Sequence, residues 1–367
     1  MRRLEELMNL AGCCLALGDT PQAAPAKDGL RKPSPRATPL WLKTVCLSIM
    51  ALIISAWQAP AHAQTFPARQ VRIIVPFAPG AAVDVLARVI ASGLQAEWGQ
   101  PVIVENRPGG NTVIGADMVA RAAPDGYTLL LTADDTFTTV PHLYKNLPFD
   151  TMKDFALINI PVKVEMLIVA HHSVTVDTLP ALIAQARSKP DSLSYGSFGN
   201  GSKAHVMMEM LKTKAKIDIL HVPYSGAARA VTALSAGEVQ ISMSGYGSVR
   251  SLLESGRMKA IAVAGPERIA QLPNVPTAAE RGYPEVDATG WFGIAAPAKT
   301  PPEIINRINE AVSRVNKGPE MGKFIEKSNL VMLNFGPKAF ADQLARDFKA
   351  RGDVVSVLRR SGINVEQ

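Results

Sequence analysis

The stretch from Val71 to Trp98 constrains the fold of this 367-residue chain more than any other. It begins with a run of β-forming residues, turns at Pro79 and Gly80, and continues with apolar residues at the 3.6-residue spacing of a helix. The pattern predicts a buried strand, a glycine turn and an amphipathic helix. A helix that begins directly after a strand presents unsatisfied N–H groups and a partial positive charge. The turn is therefore a candidate site for an anion.

The same pattern occurs twice more, further along the chain. One copy has a strand over Leu193–Ser197 and a turn over Phe198–Ser202, before a helix that starts at Lys203. The other has a strand over Ile219–Val222 and a turn over Pro223–Gly226. Glycine and proline are also what any strand-to-helix turn uses, so each turn alone is a weak signal of binding.

Helix starts that converge across a shared cleft would form a receptor for a carboxylate. Each start stabilises an anion by about 0.3–1 kcal/mol at the surface and by up to about 2 kcal/mol when partly buried. Charge-assisted hydrogen bonds add about 1.5–3 kcal/mol each. Two or three such sites reach the roughly −8 kcal/mol of a micromolar ligand without any arginine. We therefore predict that backbone amides bind a small acidic ligand.

The segment from Lys43 to Gln64 has the layout of a secretory signal, with a cationic start, an apolar run and the small-residue ending AHA. We expect cleavage after Ala63 and a periplasmic mature protein. The apolar run is shorter than the roughly 20 residues of a membrane-spanning helix, so a membrane anchor is the weaker alternative. Residues 1–39 are too long and too mixed for a usual signal start, and we expect translation to begin further along.

The composition argues against several other classes. The three cysteines, Cys13, Cys14 and Cys46, all lie in the predicted leader, so we expect no disulfide and no cysteine metal site in the mature chain. The formal charge of +7 comes without arginine clusters or interleaved aromatic residues, which argues against nucleic acid as a partner. A mildly basic chain favours a small anionic ligand.

After the leader, strand and helix patterns alternate with short Gly and Pro turns. This alternation predicts an α/β protein with largely parallel sheets. Further strands are predicted over Pro101–Glu105, Tyr127–Thr132 and Lys163–Ala170, with a polar loop over Ala133–Thr139. Two C-terminal helices are predicted over Pro302–Lys317 and Pro337–Leu358, as packing helices on the first half of the protein.

Several motifs, in order along the chain, carry a family resemblance. They are VRIIVPFAPG, VIVENRPGGN, ARAAPDGYTLLL, GNGS followed by His205, HVPYSG, LPNVPTAAERGYP and WFGIAAPAKTP. Together they span nearly all of Phe66 to Gly362. The chain resembles the Bug, or TctC-like, receptors of the tripartite tricarboxylate transporters.

The resemblance implies the two-lobed fold of a type II periplasmic binding protein, each lobe a mostly parallel sheet flanked by helices. It implies one lobe over residues 64–164 and 290–367, and a second lobe over 165–289. The chain is expected to cross between the lobes near Met166–Val169 and near Gly290–Ile294.

The resemblance also implies a function. The ligand carboxylate is expected between the lobes, on the loops Pro76–Asp84 and Phe198–Ser202, partly through bound water. The expected ligand is a small organic acid or an amino-acid-like molecule, and the expected partners are the membrane subunits of a transporter. The alternative is a subunit that presents its bound ligand to a membrane sensor kinase, because the same cleft between two lobes would serve either role.

The candidate ligand-binding residues come from the three turns and from positions near them. They are Phe77, Ala78, Pro79, Gly80, Ala81, Asp84, Asp135, Thr136, Gly199, Asn200, Gly201, Ser202, His205, Tyr224, Ser225, Gly226, Ser244 and Trp291. Three of them have a second interpretation. Asp84 either caps the helix start or accepts a hydrogen bond from the ligand. His205 either lines the cleft or packs its helix, and Trp291 belongs either to the cleft wall or to the core.

The sequence departs from the family pattern in ways that bear on the ligand. Relatives commonly carry glycine where this chain has Ala81, Ala82 and Ala227. Each added methyl group narrows the approach to backbone N–H groups, which favours a slimmer ligand or fewer bound waters. The segment SGYGS from Ser244 stands where relatives often carry an aspartate, so an acidic contact is missing there.

Asp134 and Asp135 stand where relatives usually have small polar residues. If either carboxylate faces the cleft, it would repel a second carboxylate on the ligand and favour an amine. The alternative is a solvated pair on a loop. We expect a monocarboxylate or an amino-acid-like zwitterion rather than citrate.

We expect no metal, no cofactor and no enzymatic activity. His171 and His172 are adjacent on a strand, so they point to opposite faces, and no further ligand follows at a suitable spacing. The chain has no GxSxG, no GxGxxG after the first strand, no GxxxxGK[ST] and no HExxH. The mature chain has no cysteine nucleophile either.

Overall fold

Two β-sheets organise the part of the chain that the computed structural model describes, residues 66–190 and 192–363. The strands are β1 Val71–Val75, β2 Val102–Asn106, β3 Thr128–Ala133, β4 Phe155–Val164, β5 Met166–His171, β6 Ser194–Ser197, β7 Leu220–Pro223, β8 Ile241–Gly245, β9 Met258–Val263, β10 Gly290–Pro297 and β11 Val331–Phe335. Among these residues, the first sheet has the order β11-β4-β10-β3-β1-β2 and the second β7-β6-β8-β5-β9. The predicted signal segment, its cleavage after Ala63 and the three cysteines lie outside the described residues.

Helices flank both sheets. They are α1 Ala82–Trp98, α2 Val113–Ala120, α3 Asp135–Thr138, α4 Val140–Leu143, α5 Leu179–Ser188, α6 Lys203–Ala215, α7 Ala227–Ala236, α8 Tyr246–Glu254, α9 Pro302–Asn316, α10 Pro319–Ser328 and α11 Pro337–Arg360, with a 3₁₀ turn over Ala279–Arg281. In the described part of the chain, none of the helices is both long and apolar enough to cross a membrane.

The strand β1 shows why the sequence folds in this way. Its side chains alternate between the two faces of the sheet, and all except Arg72 are buried. Ile73 packs in the cluster that contains Leu86 of α1, and Ile74 packs on the opposite face with Ala116 of α2. A strand covered on both faces requires a continuous apolar run. The strand, turn and helix predicted from Val71 to Trp98 are therefore confirmed.

Most strands of each sheet run in one direction, and the exceptions are β10 and β11 in the first sheet and β5 in the second. β1 is parallel to β2 and β3, and β6 is parallel to β7 and β8. However, β10 runs antiparallel to β3, and β5 runs antiparallel to β8. The reason is that the chain passes between the sheets as an almost continuous strand, since only Glu165 separates β4 from β5. The crossing strand β5 therefore enters the second sheet, and β10 enters the first, each at the carboxyl ends of the parallel strands of that sheet.

Both crossings lie just before the predicted ranges. Residues 166–169 already pair with β8 in the second sheet, and residues 290–294 already pair with β3 and β4 in the first. The strands of the first sheet come from residues 71–164 and 290–335, and those of the second from 166–263. The division of the chain into two lobes at these boundaries stays a prediction.

The segment after β3 is helical, so the prediction of a polar loop over Ala133–Thr139 is wrong. Two short helices, α3 and α4, follow one another there. Their apolar residues Phe137, Val140 and Leu143 are fully buried and recur every three residues. This spacing fits one face of a helix, and the polar residues between them obscured it in the sequence.

The prediction also missed β4, α10 and β11. The apolar run of β4 is interrupted by Asn159, which is fully buried in the structure. Its side-chain amide donates to Asn309 Oδ1 at 2.9 Å and to Asn334 Oδ1 at 3.2 Å. Because these amides satisfy one another, a polar residue can lie inside the sheet and pin α9 and β11 against it.

The C-terminal helix α11 packs on both sheets, whereas the sequence predicted packing on the first half of the protein alone. Near its start, Phe340 and Leu344 join the cluster of Ile74 in the first sheet. Near its end, Val355 and Leu358 join the cluster that contains Ile168 of the second sheet. The helix α11 therefore ties the two sheets together in addition to the two crossings.

Candidate functional site

The three predicted turns lie at the carboxyl ends of parallel strands. The turn after β1 shares one edge of the first sheet with the ends of β2 and β3, and the turns after β6 and β7 share one edge of the second sheet. Lys203, the first residue of α6, reaches from the second edge to Asp134 and Asp135, which follow β3. The two edges therefore face each other, and the candidate site lies where they meet.

Asp84 organises the turn after β1. Its carboxylate accepts hydrogen bonds from the Gly80 N–H at 2.9 Å, from Asn106 Nδ2 at 2.9 Å and from two nitrogens of Arg88 at 3.0 and 3.1 Å. Asn106 Nδ2 also donates to the carbonyl of Phe77 at 3.0 Å. Burial alone would raise the pKa of Asp84, but the hydrogen bonds from Gly80, Arg88 and Asn106 outweigh it and hold the pKa below its ordinary value.

Four hydrogen bonds saturate a carboxylate. The carboxylate of Asp84 holds the residue before the helix rather than capping the first turn of α1, and its hydrogen bonds to the protein leave no acceptor for a ligand. Ala78, Pro79 and Gly80 at the tip of the turn are exposed, and Phe77 is half-buried. The surface that this turn offers a ligand is therefore backbone and small side chains.

The turn after β6 is held from within by hydrogen bonds. The Gly201 N–H donates to His205 Nδ1 at 3.0 Å, and the Gly199 N–H donates to Ser197 Oγ at 3.2 Å. Ser202 Oγ donates to the Gly199 carbonyl at 2.7 Å and caps the start of α6. Asn200 lies exposed at the tip. His205 therefore serves the turn directly, a role that neither of its two predicted interpretations describes.

The turn after β7 is short, and it is more exposed to solvent than the turn after β6. The Gly226 N–H donates to the Tyr224 carbonyl at 2.9 Å, with Gly226 at a φ of 106° that favours glycine. The Tyr224 hydroxyl donates to Glu238 Oε2 at 3.4 Å, whereas Ser225 is exposed. Ser225 is thus the more available of the two predicted hydroxyl donors.

The turn amides already have acceptors within the protein, and direct binding of the ligand by these amides stays a prediction. The N–H groups of Gly80, Gly199, Gly201, Ser202 and Gly226 all donate to groups of the protein. A tight turn satisfies its own amides, and the sequence argument did not account for this. The starts of α1 and α7, in contrast, have no side-chain cap, so their first-turn N–H groups remain candidates for binding an anion.

A carboxylate of the protein occupies the start of α6. The Lys203 N–H donates to Asp135 Oδ2 at 3.3 Å, and Lys203 Nζ lies 3.5 Å from Asp135 Oδ1. The same Nζ donates to Asp134 Oδ1 at 2.6 Å and to Oδ2 at 2.5 Å. Both Lys203 and Asp134 are buried. Burial raises the pKa of Asp134 to about 6, although Lys203 opposes the shift.

This cluster contradicts the interpretation of Asp134 as a residue solvated on a loop. Asp134 is buried, and Lys203 contacts both its carboxylate and that of Asp135. A buried carboxylate requires a paired cation, and the cation comes from the other sheet. Lys203 supplies one positive charge to two carboxylates, and the preference for an amine-bearing ligand stays a prediction.

Three other predicted residues are buried in protein contacts. Trp291 packs on Phe137 and Phe340, and its indole N–H donates to Asp347 Oδ2 at 2.7 Å, so it belongs to the core. The hydroxyl of Ser244 lies 3.1 Å from that of Ser242 inside the second sheet. The hydroxyl of Thr136 lies 2.6 Å from that of Thr132 and 2.9 Å from that of Thr112.

Other features of the described residues lie away from the three turns. A cavity of about 640 Å³, lined by Trp98, Glu303 and Arg307, lies at the opposite end of α1 from Gly80. Between residues 66 and 363, without residue 191, no group of three His, Cys, Asp or Glu side chains could hold a metal ion. His171 Nδ1 lies 2.8 Å from Ser173 Oγ, which gives that ring a protein partner.

Sequence reasoning missed several residues that shape the site. Arg88 was detectable, because it follows Asp84 by four residues on a helix. Asn106, Lys203 and His221 had no local signal, because their partners are distant along the chain.

The architecture is that of a periplasmic binding protein, with two helix-flanked sheets and candidate binding turns at facing edges. A solved structure described as the periplasmic binding protein BugD superposes with a TM-score of 0.73 at 28% identity, covering 82% of this chain and 100% of that one. The α/β fold class predicted from the sequence is confirmed.

The chain belongs to the receptor family of the tripartite tricarboxylate transporters. The family profile described as "TctC: Tripartite tricarboxylate transporter family receptor" matches residues 86–357. Protein BugT of Bordetella pertussis is 38% identical over 303 residues, which is 82% of this chain and 90% of that protein. MatC from Rhodopseudomonas palustris, solved with bound malate, has a TM-score of 0.73 at 30% identity, covering 79% of this chain and 100% of its own. The resemblance inferred from the motifs is confirmed.

Replacing Lys203 tests the buried cluster. The Lys203→Met substitution leaves the buried carboxylate of Asp134 without its cation, and we expect the free energy of unfolding to fall by about 3–5 kcal/mol. Adding Asp134→Leu should recover at least half of the loss. Urea denaturation measures both values. The exposed pair of Lys338 and Asp342 supplies the control, since Lys338→Met should leave stability unchanged within error. A stable Lys203→Met variant would contradict the assignment.

Replacing Asp84 tests the network of the first turn. At pH 7, Asp84→Asn removes charge-assisted hydrogen bonds with Arg88 and Gly80 and should lower the free energy of unfolding by about 1–3 kcal/mol. Because the folded state lowers the pKa of this carboxyl, its stabilisation is present above the unfolded pKa and is lost as the pH falls through the folded pKa. The difference between wild type and variant should therefore narrow in acid. Urea titrations at several pH values measure it, and a difference independent of pH would refute this role.

Proposed function

We propose that this protein is an extracytoplasmic receptor that binds a small carboxylate between its two sheets and delivers it to the membrane subunits of a tripartite tricarboxylate-type transporter. The observation that carries the proposal is the placement of three strand-turn-helix units on two facing sheet edges. Membership of the receptor family supports the role, and the malate bound to MatC supports carboxylates as the ligand class.

In this proposal, residues 64–164 and 290–367 form one lobe and residues 165–289 the other. The ligand lies between the turns after β1, β6 and β7, and the uncapped starts of α1 and α7 contribute N–H groups from opposite lobes. Secretion with cleavage after Ala63 would place the receptor in the periplasm. The proposed contacts use backbone and small side chains, which fits the exposed tip of the first turn.

The proposed ligand is a slim mono- or dicarboxylate. Ala81 and Ala82 follow Gly80 where a glycine-rich segment would leave more space, so a bulky tricarboxylate would meet methyl groups before it reached the N–H groups of α1. Because Lys203 contacts both Asp134 and Asp135, it weakens the attraction of these carboxylates for an amine on the ligand.

Calorimetric titration with acetate, succinate, malate, glutamate and citrate tests the ligand class. We expect one of the slim acids to bind with a dissociation constant near or below about 1 μM, and citrate to bind at least about tenfold more weakly. Citrate as the tightest ligand would overturn the size argument. A complete absence of binding across mono-, di- and tricarboxylates would overturn the proposed function.

A matched pair of glycine variants tests the place of binding. Gly80 and Gly282 have φ values of 83° and 89°, and an added Cβ meets no atom within 4 Å at either position. Valine should therefore strain both backbones alike, by about 1–2 kcal/mol. Only Gly80→Val changes a turn of the proposed site, and we expect it to weaken binding of the best acid by at least about tenfold. Equal affinities for the Gly80→Val and Gly282→Val variants would remove this turn from the site.

A further inference from the structure

Two imidazole rings stack directly behind the turn after β6. The ring centroids of His205 and His221 lie 4.1 Å apart with an interplanar angle of 10°, and Tyr195 stacks on His221 at 4.8 Å. His205 lies in the first turn of α6, and His221 lies on β7. The stack therefore connects a helix and two strands at the base of the turn.

Each imidazole holds one glycine of the turn. His205 Nδ1 accepts a hydrogen bond from the Gly201 N–H at 3.0 Å, which requires that this nitrogen carries no proton. His221 Nε2 lies 2.6 Å from Ser197 Oγ, and the same oxygen accepts from the Gly199 N–H at 3.2 Å. The two glycine amides of the turn are thus fixed by the two rings, one directly and one through Ser197.

The surroundings keep both rings neutral. Burial lowers the pKa of His205 and of His221 to about 4, and the cation of Lys212 adds to the effect on both. Glu209 favours the charged form of His221, but its Oε1 already accepts hydrogen bonds from the Tyr195 hydroxyl at 2.6 Å and from Lys212 Nζ at 3.0 Å. Glu209, Lys212 and Tyr195 are the titratable groups that surround the pair.

We propose that His205 and His221 are positioning residues that hold the Phe198–Ser202 turn in its binding shape, and that protonation of the pair releases this turn. A proton on His205 Nδ1 replaces the acceptor of the Gly201 N–H with a second donor. Two positive rings in parallel stacking would also repel each other. The expected loss of ligand affinity on protonation rests on the proposed function. The expected loss of order in the turn does not depend on it.

The direction of the pH effect follows from the lowered pKa values. The unfolded state takes up protons at the ordinary histidine pKa of about 6.5, whereas the folded pair takes them up only near pH 4. The histidine pair therefore keeps the Phe198–Ser202 turn fully ordered above about pH 6.5, and this order is lost as the pH falls towards 4.

Hydrogen exchange read by mass spectrometry tests the proposal without any ligand. In wild type, the protection of the Phe198–Ser202 amides, corrected for intrinsic exchange rates, should fall between pH 6.5 and 4 before that of the second sheet. His205→Phe keeps a ring against His221 but removes the acceptor, and it should raise exchange of these amides at pH 7 by about tenfold or more. His205→Asn restores an acceptor at the position of Nδ1 that cannot titrate. It should keep the protection at pH 7 and respond less to acid.

A partly buried histidine of another helix provides the control. His142 Nε2 lies 2.9 Å from the Phe348 carbonyl of α11, and His142→Phe should leave exchange of the Phe198–Ser202 amides unchanged. Unchanged exchange in His205→Phe, or equal loss of protection across all peptides, would overturn the proposal. Calorimetry with malate as the probe is a separate readout. A failure of malate and the other acids to bind would count against the receptor function. The exchange result would still decide the role of the histidine pair.

Discussion

The buried contact of Lys203 with Asp134 and Asp135 determines how the two sheets meet. Lys203 belongs to the helix after β6, and the two carboxylates follow β3, so the ion pair spans the facing edges. Gly290, at the second crossing, lies against the pair so closely that a Cβ would come within 2.7 Å of Asp134 Oδ1. Any change in the angle between the sheets must preserve this cluster or break a buried ion pair, which costs about 3–5 kcal/mol.

Two basic side chains hold the chain at the second crossing, next to this cluster. The Thr289 carbonyl accepts from Lys203 Nζ at 3.4 Å and from Arg351 of α11 at 3.3 Å. Because α11 also packs on both sheets, the crossing, the ion pair and the C-terminal helix form one connected support. The three turns therefore project from a base whose parts are held together by these contacts, and such preorganisation lowers the entropic cost of binding a ligand.

The sequence predicted those parts of the structure that depend on local patterns. The strand β1 and the helix α1 were predictable because apolar periodicity is a local property, and Arg88 lies within one helical turn of Asp84. The role of Asp134 was not predictable, because its partner Lys203 is 69 residues away and charged residues are usually exposed. The protein partners of the turn amides were not predictable for a similar reason. Their acceptors, such as His205 Nδ1, are side chains whose direction the sequence does not show.

The central claim is that the turns of two facing sheet edges bind one carboxylate. Mass spectrometry of small molecules released from gently purified protein would identify the acid, and hydrogen exchange with and without that acid would map where it binds. The account predicts a released carboxylate that protects the amides at the starts of α1 and α7 together. Protection confined to one sheet, or located beside Trp98 at the far end of α1, would contradict it.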